Sequence, residues 1–119
     1  MPFLTRDAIL QADDLPMETV SVPEWGGEVL VRGLTGTERD AFEESVLTGK
    51  GKQRDVSMQN VRAKLVSRCL VDEEGERLFS DADVRALGQK SAAALTRVFD
   101  VAQRLSGLSP DDVEELEKN

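Results

Sequence analysis

The chain has 119 residues, a length typical of one domain, and its net charge of −8 argues against nucleic acid as the main partner, because phosphate backbones bind basic surfaces. It contains no histidine, which excludes Ser-His-Asp triads, Cys-His pairs and histidine metal sites. Its single cysteine, Cys69, excludes an internal disulfide and favours a reducing compartment.

The N-terminal residues predict a short helix within 2–12. Thr5 is the expected N-cap, with Leu4 and Ile9 at the hydrophobic-staple positions, and Pro16 lies beyond its end. The segment lacks a basic region followed by an apolar core, so it is not a signal peptide. No run of the chain approaches the ~20 apolar residues that span a bilayer. We therefore expect a soluble, cytoplasmic protein.

The next segment predicts a β-hairpin. Apolar and polar residues alternate over 19–22 and again over 29–32, the pattern of half-buried strands. Pro23 closes the first strand because it has no N–H for the ladder, and Gly26 with Gly27 supplies a tight reversal.

Trp25, the one tryptophan, lies at the tip of this turn and has two interpretations. Its ring covers the edge of the core, as large aromatic side chains usually do. Alternatively, it is an exposed anchor for a protein partner, since tryptophan is enriched at binding hot spots. Trp25 is therefore a candidate partner-binding residue.

Capping signals predict the later helices. Thr35 followed by Glu38 has the capping-box spacing, and Gly107 is a typical C-terminal stop. The other expected N-caps are Ser57, Ser80 and Ser91, the last opening the longest helix, about 91–106. Apolar residues recur at three- and four-residue spacing on these helices, and Cys69 lies on such a stripe as a buried small hydrophobe. The predicted core residues are Leu65, Val66, Val98, Phe99 and Leu105.

Two polar connections resemble ligand loops but lack the required spacing. The glycine-bearing segment 49–54 is not a phosphate-binding loop, because GxxxxGK[ST] is absent, so we expect a mobile surface loop. The acidic segment 71–79 lacks the alternating ligands of a calcium loop. It predicts a small turn or a second hairpin between two helices.

The C-terminal residues read as a short acidic helix or mobile tail. Ser109 and Pro110 suit N-cap and first helical position, and only Val113 and Leu116 offer apolar side chains for packing. We expect a compact domain over 1–108 and a tail over 109–119, with Val113 and Leu116 as further candidate partner-binding residues. The predicted fold class is α+β, mainly α: an N-terminal hairpin packed with about five or six short helices.

Four segments together carry a family resemblance. They are the hairpin VSVPEWGGEVLVR with the following TGTERDAF, LVDEEGERLFS at 70–80, QKSAAAL at 89–95 and VFDVAQRLSGL at 98–108. In this order the chain is similar to the tail assembly chaperones of long-tailed bacteriophages and prophages. The resemblance covers most of the chain.

The resemblance implies a non-enzymatic chaperone that binds the tape measure protein and keeps it soluble in the host cytoplasm, without entering the finished virion. It also implies a longer product, made by ribosomes that slip near the end of the gene, whose extension recruits the tail tube protein. Glu117, Lys118 and Asn119 can be encoded by an almost unbroken run of A, on which such slippage occurs. No cofactor, metal, nucleic acid or membrane is expected.

Two other functions stay open on the residues alone. A small acidic regulatory protein or DNA mimic would bind a basic partner, as the net charge of −8 allows. An enzyme is disfavoured because the carboxylates fall on solvated helix faces and loop ends, with no pair that stands out as buried. The client-binding surface, the oligomeric state and the host do not follow from the sequence.

Overall fold

A three-stranded antiparallel sheet with helices packed on it forms the centre of the computed structural model, which describes residues 3–48, 55–56 and 60–108. The elements in chain order are α1 (Arg6–Gln11), β1 (Met17–Val22), β2 (Gly27–Arg32), α2 (Gly36–Val46), β3 (Leu47–Thr48), β4 (Asp55–Val56), α3 (Val61–Cys69), β5 (Leu70–Val71), α4 (Val84–Leu87) and α5 (Ala92–Leu105), with 3-10 turns at Pro23–Trp25 and Asp81–Asp83. This confirms the predicted mainly-α α+β class.

The predicted hairpin is present as β1 and β2. Val20 pairs with Val29, and Val22 pairs with Gly27 at the tip. The valines at 20, 22 and 31 are buried, as the alternation predicts. The reversal uses one glycine rather than two in a left-handed conformation: Gly26 has φ +80°, whereas Gly27 already belongs to β2.

The sheet has a third strand that the sequence pattern did not predict. In β5, Leu70 pairs with Val31 and Val71 pairs with Leu30 of β2. Beyond it the chain turns at Gly75, which has φ +85°, and Arg77 returns to bridge Val71. The predicted turn within 71–79 is thus present. The strand that precedes it, β5, pairs with β2 of the N-terminal hairpin.

The core lies between this sheet and the helices α2, α3 and α5. Four predicted core residues, at 65, 66, 98 and 99, are buried, whereas Leu105 is half-buried against the cluster. Gly33 allows the last turn of α5 to approach, because a Cβ there would collide with the Leu105 carbonyl oxygen.

The helix caps agree with the local signals. Thr35 Oγ1 accepts from the Glu38 N–H at 3.1 Å, and Glu38 Oε1 accepts from the Thr35 N–H at 2.8 Å. Ser91 Oγ accepts from the Ala94 N–H at 3.2 Å, and Gly107 follows α5 with φ +72°. Local hydrogen bonds therefore set these helix ends, as the capping motifs predict.

The N-terminal helix α1 is capped as predicted but not packed. Thr5 Oγ1 accepts from the Ala8 N–H at 3.2 Å, yet no residue of α1 is buried. The two expected staple residues, Leu4 and Ile9, are 75% and 56% exposed. The staple therefore contributes no buried contact to the core.

Several predicted features lie outside the described residues. These are the loop 49–54, the N-cap Ser57 and the tail 109–119 with its candidate residues Val113 and Leu116. Among the described residues, Leu47 of β3 pairs with Val56 of β4. Every helix within the described ranges 3–48 and 60–108 is too short or too polar to span a bilayer.

Candidate partner-binding site

Trp25 ends the 3-10 turn at the hairpin tip and packs half-buried against the core. Its position agrees with the interpretation that the ring covers the core edge. Its indole Nε1 is buried and has no hydrogen-bond partner within the described part of the chain. A buried donor without an acceptor costs roughly 1–3 kcal/mol, so this nitrogen is an unusual feature of the site.

The neighbouring Glu24 ties the turn to α5. Arg97 donates from Nη1 and Nη2 to the two carboxylate oxygens at 2.7 and 2.9 Å. This hydrogen bond from Arg97 lowers the pKa of Glu24 to about 2, and the same contact raises the pKa of Arg97. The hairpin tip is thereby held in a defined position over the first half of α5.

A cavity of about 510 Å³ opens beside Trp25. Its walls are mostly apolar, with polar groups supplied at its edge by Glu24 and Lys90. The lining residues are Glu24, Trp25, Phe79, Ala86, Leu87 and Lys90. An open, largely apolar depression of this size accommodates one or two side chains of a partner protein.

Only one of the three sequence-predicted partner-binding residues is placed at this cavity. Trp25 lines it, whereas Val113 and Leu116 lie outside the described residues. Phe79, Ala86 and Leu87 also line the cavity, and the sequence pattern did not mark them as candidate site residues. One sequence signal could have identified Phe79: it directly precedes the expected N-cap Ser80, a position whose apolar side chain usually packs against the following helix.

The single cysteine, Cys69, belongs to the core, as its position on an apolar stripe predicts. Its side chain is fully buried, and its Sγ lies 3.8 Å from Ser106 Oγ. Burial raises the pKa of the thiol to about 11, which disfavours the reactive thiolate. Among the described residues, no group of three or more histidine, cysteine, aspartate or glutamate side chains is placed to hold a metal ion.

Comparison with known proteins identifies a family for this chain. A family model described as "Phage tail assembly chaperone" matches residues 5–119. No curated protein matches the chain.

The fold also resembles a solved structure, that of the bacteriophage HK97 tail assembly chaperone. The TM-score is 0.57 at 21% sequence identity, and the match covers 83% of this chain and 94% of that one. At this identity the likeness shows the shared fold.

Proposed function

The chain belongs to the phage tail assembly chaperone family, and from this premise we propose that it binds the tape measure protein and keeps it soluble during tail assembly. A tape measure protein is a long, largely helical chain with apolar stripes that aggregate when exposed. A holdase for such a client needs an apolar contact site on a strongly charged body. The net charge of −8 supplies the second property.

The single observation that supports the contact site best is the cavity beside Trp25. It is open, mostly apolar and adjacent to a tryptophan, the residue type most enriched at binding hot spots. The ion pair between Glu24 and Arg97 fixes the hairpin tip, which supplies one wall of the cavity, in the free protein. We propose that an apolar side chain of an amphipathic client helix enters this cavity.

The test is co-expression of the client with the chaperone, followed by measurement of the soluble client fraction and by affinity capture of the complex. Ala86→Arg fills the cavity from an exposed helical position. Ala93→Arg is the matched control, because Ala93 is exposed on α5 and does not line the cavity. We expect the first variant to lose client solubility and the control to retain it, with both folded by circular dichroism.

A client that remains equally soluble with Ala86→Arg would reject the cavity as the contact site. A client that aggregates regardless of the wild-type chaperone would reject the proposed function itself. Capture of a DNA-binding protein instead of the client would favour the regulatory alternative.

We further propose that the protein acts in the host cytoplasm, is absent from the mature virion, and meets the tail tube protein through a longer, frameshifted form. The supporting observation is family membership over 5–119. Mass spectrometry of purified virions and of the host lysate tests the location: peptides of this chain are expected in the lysate only.

A further inference from the structure

Four basic side chains have no carboxylate within ion-pair distance in the described part of the chain. They are Arg62, Lys64, Arg85 and Lys90. Arg62 lies over the Phe99 ring at 5.8 Å, and Lys64 donates to the Ser45 carbonyl oxygen at 2.8 Å. In a chain of net charge −8, these four described cations without a carboxylate partner are unexpected.

All four cations lie around one segment, residues 84–90. Lys90 lines both the Trp25 cavity and a depression of about 200 Å³ that also contains Arg62. Lys64 and Arg85 line a third depression, of about 310 Å³, which shares Asn60 with the second. The three depressions are therefore neighbours linked by the shared lining residues Lys90 and Asn60, and together we call them the 84–90 surface.

The carboxylates on this surface are already engaged. Glu24 is held by Arg97, and Asp81 is contacted by Arg68 at 3.3 Å and by Arg77 at 3.1 Å. The unpaired charge left to interact with a partner is therefore positive, next to an apolar cavity. A complementary ligand combines carboxylates with at least one bulky apolar side chain.

We infer that the 84–90 surface binds an acidic, amphipathic polypeptide segment of the client, with an apolar side chain in the Trp25 cavity and carboxylates against Lys90 and Arg62. This inference rests on the proposed function, because it assigns the chemistry of the client segment that the chaperone holds. The net negative charge of the whole chain then opposes non-specific binding of acidic chains elsewhere, which confines them to this surface.

A polypeptide fits this surface better than a nucleic acid does. A phosphate backbone carries charge at every nucleotide and would extend from the few cations onto the acidic remainder of the protein. It also offers no aliphatic side chain for the cavity. A short segment with a few carboxylates matches both the number of cations and the apolar wall.

The experiment probes an array of overlapping peptides covering the client sequence with the full-length chaperone. We expect the bound peptides to carry net negative charge together with a bulky apolar residue. Binding of one such peptide, followed by fluorescence anisotropy, should weaken about tenfold in the double variant Arg62→Gln/Lys90→Gln, as loss of two partly exposed charge pairs predicts. It should also weaken as ionic strength rises.

The matched control is Arg6→Gln/Arg104→Gln, which removes the same charge from exposed residues outside the 84–90 surface. We expect it to bind the peptide as the wild type does. A labelled single-stranded DNA of 20 nucleotides serves as the second probe and should not bind. DNA binding that is lost in Arg62→Gln/Lys90→Gln would overturn the inference in favour of a nucleic acid partner.

Failure of this inference differs from failure of the proposed function. If the bound peptides are basic or uncharged, or the double variant binds them unchanged, the inference is wrong while the chaperone still holds its client. If no client peptide binds and the client aggregates with the wild-type chaperone, both are wrong.

Discussion

Arg97 and Glu24, 73 positions apart in the chain, form a two-pronged ion pair with oxygen distances of 2.7 and 2.9 Å. The pair connects the hairpin tip to α5 and so sets the position of the neighbouring Trp25. Because both side chains are partly exposed, at 42% and 32%, we interpret its main role as orientation of the tip rather than stabilisation of the fold.

The first prediction concerns the pH dependence of this pair. The pKa of Glu24 is lowered from 4.5 to about 2, so its contribution to folding is fully present above pH 4.5 and is lost as the pH falls through 2. A carboxyl titration by NMR should give a midpoint near 2 for Glu24. Arg97→Gln should move that midpoint upward toward 4.5, because the favourable hydrogen bond is removed. Arg104→Gln, which breaks the pair with Glu18 instead, should leave it in place.

The second prediction concerns the indole nitrogen of Trp25. Trp25→Phe keeps an aromatic ring against the core and removes a buried N–H without an acceptor, so the free energy of unfolding should stay within about 1 kcal/mol of wild type or rise. Trp25→Ala should lower it by about 1–3 kcal/mol, since the ring is half-buried. Urea denaturation measures both. A larger loss in Trp25→Phe than in Trp25→Ala would contradict the absence of a partner for Nε1.

The third prediction concerns the capping box of α2. Thr35→Ala removes the acceptor for the Glu38 N–H and should lower the free energy of unfolding by about 1 kcal/mol. Thr37→Ala, at an exposed position in the same turn, is the control and should change it by less than about 0.5 kcal/mol. Equal losses in the two variants, measured by thermal denaturation, would mean that the cap does not stabilise the helix.

The fourth prediction concerns the core side of α5. Phe99 is 7% exposed, so Phe99→Ala should lower the free energy of unfolding by about 3–5 kcal/mol. Asp100→Ala, at the exposed neighbouring position, should change it by less than about 0.5 kcal/mol. Denaturant unfolding measures both variants. A decrease in the free energy of unfolding below about 1 kcal/mol for Phe99→Ala would be incompatible with burial in the core.

The fifth prediction concerns a longer product of the gene. If the codons for Glu117, Lys118 and Asn119 contain an almost unbroken run of A ending in C, the tRNAs can re-pair one base back, and a minority of ribosomes should continue in the shifted frame. Mass spectrometry of cells expressing the native gene should then detect peptides encoded beyond the slip. Codons that interrupt the run, or a stop codon directly after it in the shifted frame, would exclude the longer form.

The partition into a domain over 1–108 and a tail over 109–119 stays a prediction, as does partner binding by Trp25, Val113 and Leu116. Limited proteolysis tests the partition, because a frayed tail is cleaved before a packed domain.

Local features of this protein followed from its sequence. Thr5, Thr35 and Ser91 form the helix caps that their spacing predicts, because a capping hydrogen bond spans only two or three residues. The hairpin and the buried stripe of α5 followed from the periods of strand and helix. The helix period likewise placed Cys69 in the core, because Cys69 lies on an apolar stripe.

Tertiary structure alone decided which distant segments meet. Nothing in Leu70 and Val71 indicates that they pair with β2, since their partners Val31 and Leu30 lie about 40 positions earlier in the chain. The exposure of α1 likewise contradicts its local staple signal, because an apolar side chain is buried only where another element arrives to cover it. The cavity between Trp25 and α4 brings together residues about 60 positions apart. The unpaired cations come from α3 and from the segment 84–90, up to 28 positions apart, so their proximity also depends on the assembled fold.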